Sequence, residues 1–130
     1  MAEIATRKAY GTTLVKLADE GMDVVALDAD LAEATYSNTF RAKYPERFID
    51  CGIAESSMVN TAAGIATTGK IVFAGSFAVF TTGRAYDQVR NGVAYPGIPV
   101  NLIGSHAGLS VGEGGATHQC FEDIALMRVL

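Results

Sequence analysis

Residues 48–55 have the sequence FIDCGIAE, and residues 56–64 continue as SSMVNTAAG. The apolar start predicts a short buried strand, the glycine a turn, and the alanine-rich continuation a helix. Glu55 stands at the joint, near the first turn of the predicted helix, where unpaired N–H groups favour an anion. Because such joints lie at the ligand-binding edge of α/β sheets, Glu55 is either an ordinary helix-start carboxylate or a site residue.

Composition limits the class of protein. The chain has 130 residues, the size of one domain (residues 1–130), and its 49% hydrophobic content indicates a substantial interior. The formal net charge is −4 and no lysine or arginine run occurs, so nucleic acid is not an expected partner. The longest apolar run, residues 71–80, is too short to cross a bilayer, and no signal peptide is visible. We therefore expect a cytoplasmic protein without a membrane partner, in which Cys51 and Cys120 are buried free thiols.

Hydrophobic patterns predict alternating strands and helices along the chain. The predicted strands are residues 23–28, 48–52, 70–76 and 100–105, and the predicted helices are residues 6–20, 56–68, 81–95 and 121–130. Residues 29–45 are expected to be irregular, with one helical turn at 39–44, and residues 107–115 to form a glycine-rich loop. This alternation predicts a doubly wound, mainly parallel α/β sheet with helices on both faces.

Right-handed crossovers bring the carboxyl ends of the four predicted strands to one edge of the sheet. The loops there carry Asp30, Glu55, the pair Phe77 and Phe80, and the segment from His106 to His118. The two phenylalanines fit either a core or a site. The two histidines lack a third ligand for a metal, and fit either backbone-bonded loop residues or donors to a polar ligand. The loop between them matches neither the dinucleotide-binding nor the P-loop pattern.

Six segments, in this order, resemble the transketolase family, specifically the pyrimidine-binding domain that opens its C-terminal half. They are Ala5-Thr6-Arg7-Lys8, Asp28-Ala29-Asp30-Leu31, Gly52-Ile53-Ala54-Glu55, Gly75-Ser76-Phe77 with Phe80, Arg84-Ala85-Tyr86-Asp87-Gln88, and His106 to Gln119. In some organisms that half is a separate subunit. Deoxyxylulose-phosphate synthases and the beta subunits of pyruvate dehydrogenase share the Glu55 motif, whereas the first and last segments favour transketolase.

The resemblance implies thiamine diphosphate as the cofactor and two-carbon ketol transfer between sugar phosphates as the reaction. It implies that Glu55, in a partly desolvated site, bonds a ring nitrogen of the aminopyrimidine and so promotes loss of the thiazolium proton. The other implied residues are Asp30, Ile53, Phe77 and Phe80 for the cofactor, Arg7 and His106 for the substrate phosphate, and His118 as a catalytic residue near the reacting hydroxyls.

Three positions depart from the family pattern. Gly114 replaces an aspartate that distinguishes donor hydroxyls, Ala34 replaces a phosphate-binding serine with Thr35 beside it as a stand-in, and Gly83 replaces a further aromatic residue. The Gly-Asp-Gly motif with which the family anchors Mg²⁺ and diphosphate does not occur in the chain. We therefore expect a diphosphate-binding partner subunit or domain that carries the Mg²⁺ ligands, and a dimer or higher oligomer.

Two alternatives stay open at this point. Gly114 leaves room for a component of a deoxyxylulose-phosphate synthase or 2-oxo-acid dehydrogenase, and the departures together leave room for a non-catalytic assembly module. The apolar residues 121–130 lack a helix cap, which suggests a domain incomplete at its C-terminus or completed by a partner. We expect the chain alone to associate with itself and to be inactive.

Overall fold

The computed structural model describes residues 3–130 and contains a four-stranded parallel sheet in the order β2-β1-β3-β4. The strands are β1 (Val24–Asp28), β2 (Phe48–Asp50), β3 (Ile71–Phe77) and β4 (Val100–Ser105). Asp28 is paired with both Asp50 and Gly75, and Phe77 with Ser105, so the four strand ends lie at one edge. This arrangement confirms the predicted α/β fold.

Helices connect the strands and cover the sheet. The α-helices are α1 (Thr6–Asp19), α2 (Ala32–Thr35), α3 (Asn38–Lys43), α4 (Glu55–Ala66), α5 (Tyr86–Gln88) and α6 (Asp123–Arg128). Two π-helical turns, Val79–Arg84 and Val89–Ala94, flank α5, and 3₁₀ turns occur at Pro45–Arg47 and Gly112–Thr117. Across residues 3–130, no helix combines the length and apolarity needed to cross a membrane.

The third predicted long helix is helical over residues 79–94, but most of it is π-helical. Its sequence explains this, because Gly83 and Gly92 have low helix propensity. In addition, the hydroxyl of Thr82 donates to the carbonyl of Ala78 at 2.8 Å, a contact of the kind that bends helices. We call this stretch the helical segment 79–94.

The two faces of the sheet carry separate hydrophobic cores. In β1, Val25 and Leu27 pack in the cluster that contains α4 residues such as Met58, whereas Val24 and Ala26 pack with Leu14 of α1 and with Phe40. Alternate residues of a strand point to opposite faces, so both faces of β1 are covered, as the nearly all-apolar sequence of this strand predicts. Cys120 is buried, Cys51 is half-buried, and both thiols are free.

A buried polar network shapes residues 29–37, which the sequence predicts to be irregular. The Asp28 carboxylate accepts hydrogen bonds from the hydroxyls of Thr35 at 2.8 Å and Ser37 at 2.9 Å, and from the backbone N–H of Leu31. These bonds hold α2 against the end of β1, so the expectation of an irregular stretch is wrong for Ala32–Thr35. The helix α2 is not predicted from the sequence because tertiary hydrogen bonds stabilise it, and hydrophobic periodicity does not indicate such bonds.

Candidate active site

Glu55 is the first residue of α4 and is buried, with 1% of its side chain exposed. Burying a carboxylate is costly unless it is paired and hydrogen-bonded. Oε2 accepts from Nη1 of Arg84 at 3.0 Å, and Oε1 accepts from the hydroxyl of Ser76 at 3.4 Å. Its place at a helix N-terminus adds a favourable dipole. The structure therefore has a buried carboxyl group with two polar partners at the end of β3.

Four rings near the carboxyl end of β3 form what we call the aromatic cluster: Phe77, Phe80, His106 and His118. Phe77 and Phe80 are half-buried and nearly parallel, with ring centroids 6.2 Å apart. His106 lies 4.1 Å from Phe77, and His118 approaches Phe80 edge-on at 5.3 Å. The sheet edge thus brings together aromatic residues from β3, the helical segment 79–94 and the segment after β4.

His106 also lines a cavity of about 560 Å³, together with Arg7, Ser110 and neighbouring residues. Nη1 of Arg7 lies 3.3 Å from Nε2 of His106, and Ser105 contacts its Nδ1 at 2.9 Å. Burial, and then the Arg7 guanidinium, lower the pKa of His106 below 6.5. A neutral histidine and a guanidinium at one cavity can both serve a phosphate or hydroxyl ligand.

His118 is held by its own turn. Its Nδ1 lies 2.8 Å from the Thr117 hydroxyl and 3.1 Å from the carbonyl oxygen of Gly114. A Cβ atom on Gly114 would come within 2.7 Å of Cγ of His118. The absence of a side chain at position 114 therefore allows His118 to lie where it meets the two phenylalanines.

Asp30 and Ile53 lie apart from the aromatic cluster. Asp30 lines a different cavity, of about 240 Å³, with Ala34 and Arg41, and its backbone N–H donates to Oδ1 of Asp50 at 3.1 Å. Ile53 is 76% exposed and belongs to neither hydrophobic core. Thr35, considered as a stand-in for a phosphate-binding serine, is fully buried and donates to Asp28, so that expectation is not supported.

Arg84 is the site residue that the sequence does not assign. It lies on the helical segment 79–94, with its Cζ 4.6 Å from the centroid of Phe80 and its Nη1 on Glu55. Residues four apart on a helix share a face, and this spacing from Phe80 is the signal that could have found it. Within residues 3–130, no group of three or more histidine, cysteine, aspartate or glutamate side chains is arranged to hold a metal ion.

The sequence matches the family described as "Transketolase, pyrimidine binding domain" over residues 2–130. The chain belongs to this family. The buried glutamate and the aromatic pair are thus found in a transketolase pyrimidine-binding domain, and the resemblance noted from the sequence is confirmed.

Transketolase relatives in distant organisms share about half of the sequence. A putative transketolase C-terminal section of Methanocaldococcus jannaschii is 52% identical over 124 residues, which are 95% of this chain and 39% of that protein. Human transketolase is 46% identical over 127 residues, which are 97% of this chain and 20% of that protein. The chain therefore spans between one fifth and two fifths of these relatives.

Solved transketolase structures have the same fold. A split-gene transketolase is described as an "inactive beta4 tetramer", that is, a tetramer of beta subunits. It superimposes with a TM-score of 0.84 at 49% identity, covering 99% of this chain and 41% of that one. A transketolase mutant from Pichia stipitis gives a TM-score of 0.83 at 27% identity, with 98% of this chain and 21% of that one covered. The transketolase domain seen here is thus part of a longer chain in both structures.

Proposed function

We propose that the chain binds the aminopyrimidine of thiamine diphosphate and, with a diphosphate-binding partner subunit or domain, transfers two-carbon ketol units between sugar phosphates. The observation that carries this proposal is the buried Glu55 carboxylate, which Arg84 connects to Phe80 of the half-buried pair Phe77 and Phe80. When bound, the cofactor supplies a nucleophilic thiazolium carbon.

The residues fit an aminopyrimidine. The ring is flat and aromatic, so it suits contact with the phenylalanine rings, which are not fully buried. A ring nitrogen needs a partner that can hold or share a proton, and a carboxylate in a site with little water is such a partner. Glu55 is the carboxylate that the aromatic cluster adjoins through Arg84. In this proposal Glu55 binds and polarises the pyrimidine, and Phe77 and Phe80 orient it.

The substrate would be held on the side of Arg7 and His106. Both residues line the 560 Å³ cavity, and a guanidinium is well shaped to bind a phosphate. His118 lies against Phe77 and Phe80 and would donate to the hydroxyls of the sugar. Asp30 and Ile53 do not contact these rings, and we propose that they act on parts of the cofactor beyond the pyrimidine.

The diphosphate and Mg²⁺ are assigned to the partner. The absence of Gly-Asp-Gly from the sequence supports this division, since that motif anchors both in the family. The chain spans 41% of the split-gene transketolase, which is described as a tetramer. We propose that the present chain likewise acts within a dimer or higher oligomer.

A second candidate keeps the cofactor and changes the substrate. Gly114 has no side chain with which to distinguish donor hydroxyls, and His118 packs against it too closely for one to be added. In this second proposal the assembled protein accepts a 2-oxo acid as its donor, as deoxyxylulose-phosphate synthases and 2-oxo-acid dehydrogenases do. Parallel assays with pyruvate and with a ketose phosphate as donors decide between the two.

The decisive experiment replaces Glu55 in the protein assembled with its partner. Glu55→Gln keeps the shape but removes the ability to share the proton, so exchange of the thiazolium proton of bound cofactor should slow by about 10²–10⁴-fold. Glu46→Gln, at an exposed glutamate in the 3₁₀ turn Pro45–Arg47, is the matched control. Unchanged exchange in the Glu55 variant would reject the proposed function.

A further inference from the structure

Glu55 is covered by a side chain that is not part of the protein core. Of the two side chains bonded to its carboxylate, Ser76 is fully buried on β3, whereas 51% of the Arg84 side chain is exposed. Arginine has a long, flexible stem, and half of this side chain already lies in solvent. Arg84 is therefore the partner of Glu55 that can move into solvent.

Arg84 makes two contacts at once. Its guanidinium lies over the ring of Phe80, 4.6 Å from the centroid, and donates to Oε2 of Glu55 at 3.0 Å. A guanidinium is planar and delocalised and stacks on aromatic rings while it hydrogen-bonds a carboxylate. An aminopyrimidine is also planar and nitrogen-containing, and in the proposed function it uses the same ring and the same carboxylate.

The burial of Glu55 makes these contacts exclusive. With 1% of its side chain exposed, Glu55 has almost no surface left for a ligand while Arg84 stays in place. A cofactor that bonds Glu55 must therefore meet the carboxylate after the guanidinium has left it. The arginine and the pyrimidine compete for one position.

We propose that Arg84 is a displaceable internal ligand, which occupies the pyrimidine position of the cofactor-free protein and is expelled when the cofactor binds. This inference rests on the proposed function of Glu55 and Phe80. When only a fraction of the molecules have the position open, the apparent affinity for the ligand falls by that fraction. Arg84 therefore lowers the affinity of the protein for free cofactor and keeps Glu55 paired until the cofactor arrives.

The first test is a calorimetric titration of the protein, assembled with its partner, with thiamine diphosphate and Mg²⁺. Arg84→Met keeps an apolar stem over Phe80 but removes the competing donor, so cofactor binding should become about five- to tenfold tighter. Arg90→Met, at an exposed arginine on the same helical segment 79–94, should leave the affinity unchanged. Equal or weaker binding by the Arg84 variant, with its melting behaviour intact, overturns the inference.

A second test needs no substitution. Phenylglyoxal modifies accessible guanidinium groups, and mass spectrometry measures the modification at each arginine. If the cofactor expels Arg84, adding thiamine diphosphate and Mg²⁺ should increase modification of Arg84 relative to Arg90. A decrease at Arg84 would show that the cofactor buries the side chain in place, which contradicts displacement.

The two proposals fail in different ways. If Glu55→Gln weakens cofactor binding but Arg84→Met does not tighten it, only the role of Arg84 is rejected. If Glu55→Gln and Phe80→Ala both leave cofactor binding unchanged, the pyrimidine site lies elsewhere, and the role of Arg84 is rejected with it.

Discussion

Gly114 and Gly83 differ in whether their surroundings leave space for a side chain. Neither glycine has a left-handed backbone, yet a Cβ on Gly114 would meet His118 at 2.7 Å, whereas a Cβ on Gly83 meets nothing within 4 Å. Both positions are expected from the sequence resemblance to depart from the family pattern. Only Gly114 is explained by packing, because its missing side chain makes room for a ring of the aromatic cluster.

We predict that Gly114→Ala displaces His118 and destabilises the protein. Forcing a methyl group into an occupied position of a packed core costs about 1–3 kcal/mol. Because Gly114 is exposed, the neighbouring ring can move more easily, and the free energy of unfolding in denaturant should fall by less than that amount. The ring resonances of His118 should shift in NMR spectra. Gly83→Ala is the control and should be neutral or slightly stabilising, since alanine favours a helix. Equal effects of the two substitutions would show that contact with His118 does not govern position 114.

The effect of Arg7 on the pKa of His106 provides a second prediction at the residue scale. Burial and the nearby guanidinium both hold the pKa of His106 below 6.5. Removing the charge in Arg7→Met should therefore raise this pKa towards its usual value, while Lys8→Met, at the adjacent exposed residue, should change it less. An NMR titration of the His106 ring measures both. An unchanged or lower pKa in the Arg7 variant would contradict the pairing at 3.3 Å.

At the scale of elements, the hydrophobic pattern of the sequence predicts the order of the strands and long helices. The nearly all-apolar β1 and the alternation of strands with helices are enough to place Glu55, Phe77, Phe80 and His106 at one edge. They do not predict Arg84, since an arginine in a helical segment usually faces solvent, and its contact with Glu55 depends on how that segment packs. The short helix α2 is missed for a similar reason, because buried hydrogen bonds to Asp28 stabilise it.

The buried hydrogen bonds of Asp28 at the start of α2 make the stability of the protein depend on pH. Burial raises the pKa of Asp28 above 3.8, although hydrogen bonds from Thr35, Leu31 and Ser37 oppose the shift. The folded state then binds a proton at Asp28 more tightly than the unfolded state does. The resulting contribution of Asp28 to the free energy of unfolding is at its maximum below pH 3.8, and it is lost as the pH rises through the folded pKa.

We therefore predict that the free energy of unfolding of the wild type, relative to Asp28→Asn, falls as the pH is raised from about 4 towards neutrality. Asp19→Asn is a control of opposite sign. The hydrogen bond from Lys43 lowers the pKa of Asp19, so the wild type should lose stability relative to that variant as the pH falls. Denaturant unfolding at several pH values measures both differences. A difference for Asp28 that grows with pH would contradict a raised pKa.

At the scale of the whole molecule, apolar side chains are exposed around α6. Ile124 is 67% exposed and Val129 79%, and Tyr95 lines a cavity of about 490 Å³ together with Val129 and Leu130. A second cavity, of about 300 Å³, lies between Ile124 and Leu102 of β4. Contiguous apolar surface of this kind marks interfaces or aggregation sites in proteins.

We predict that the 130-residue chain associates with itself through this surface, because association removes apolar area from water. Replacing Ile124 and Val129 together by Asn should lower the weight-average sedimentation coefficient and weaken its dependence on concentration. Ile4→Asn is the control, since Ile4 is similarly exposed at 64% but lies before α1. Both substitutions remove apolar surface, so an equal effect would indicate non-specific association. A concentration-independent monomer in the wild type would show that the surface around α6 does not drive association, whereas loss of association in the double variant alone would assign it to that surface.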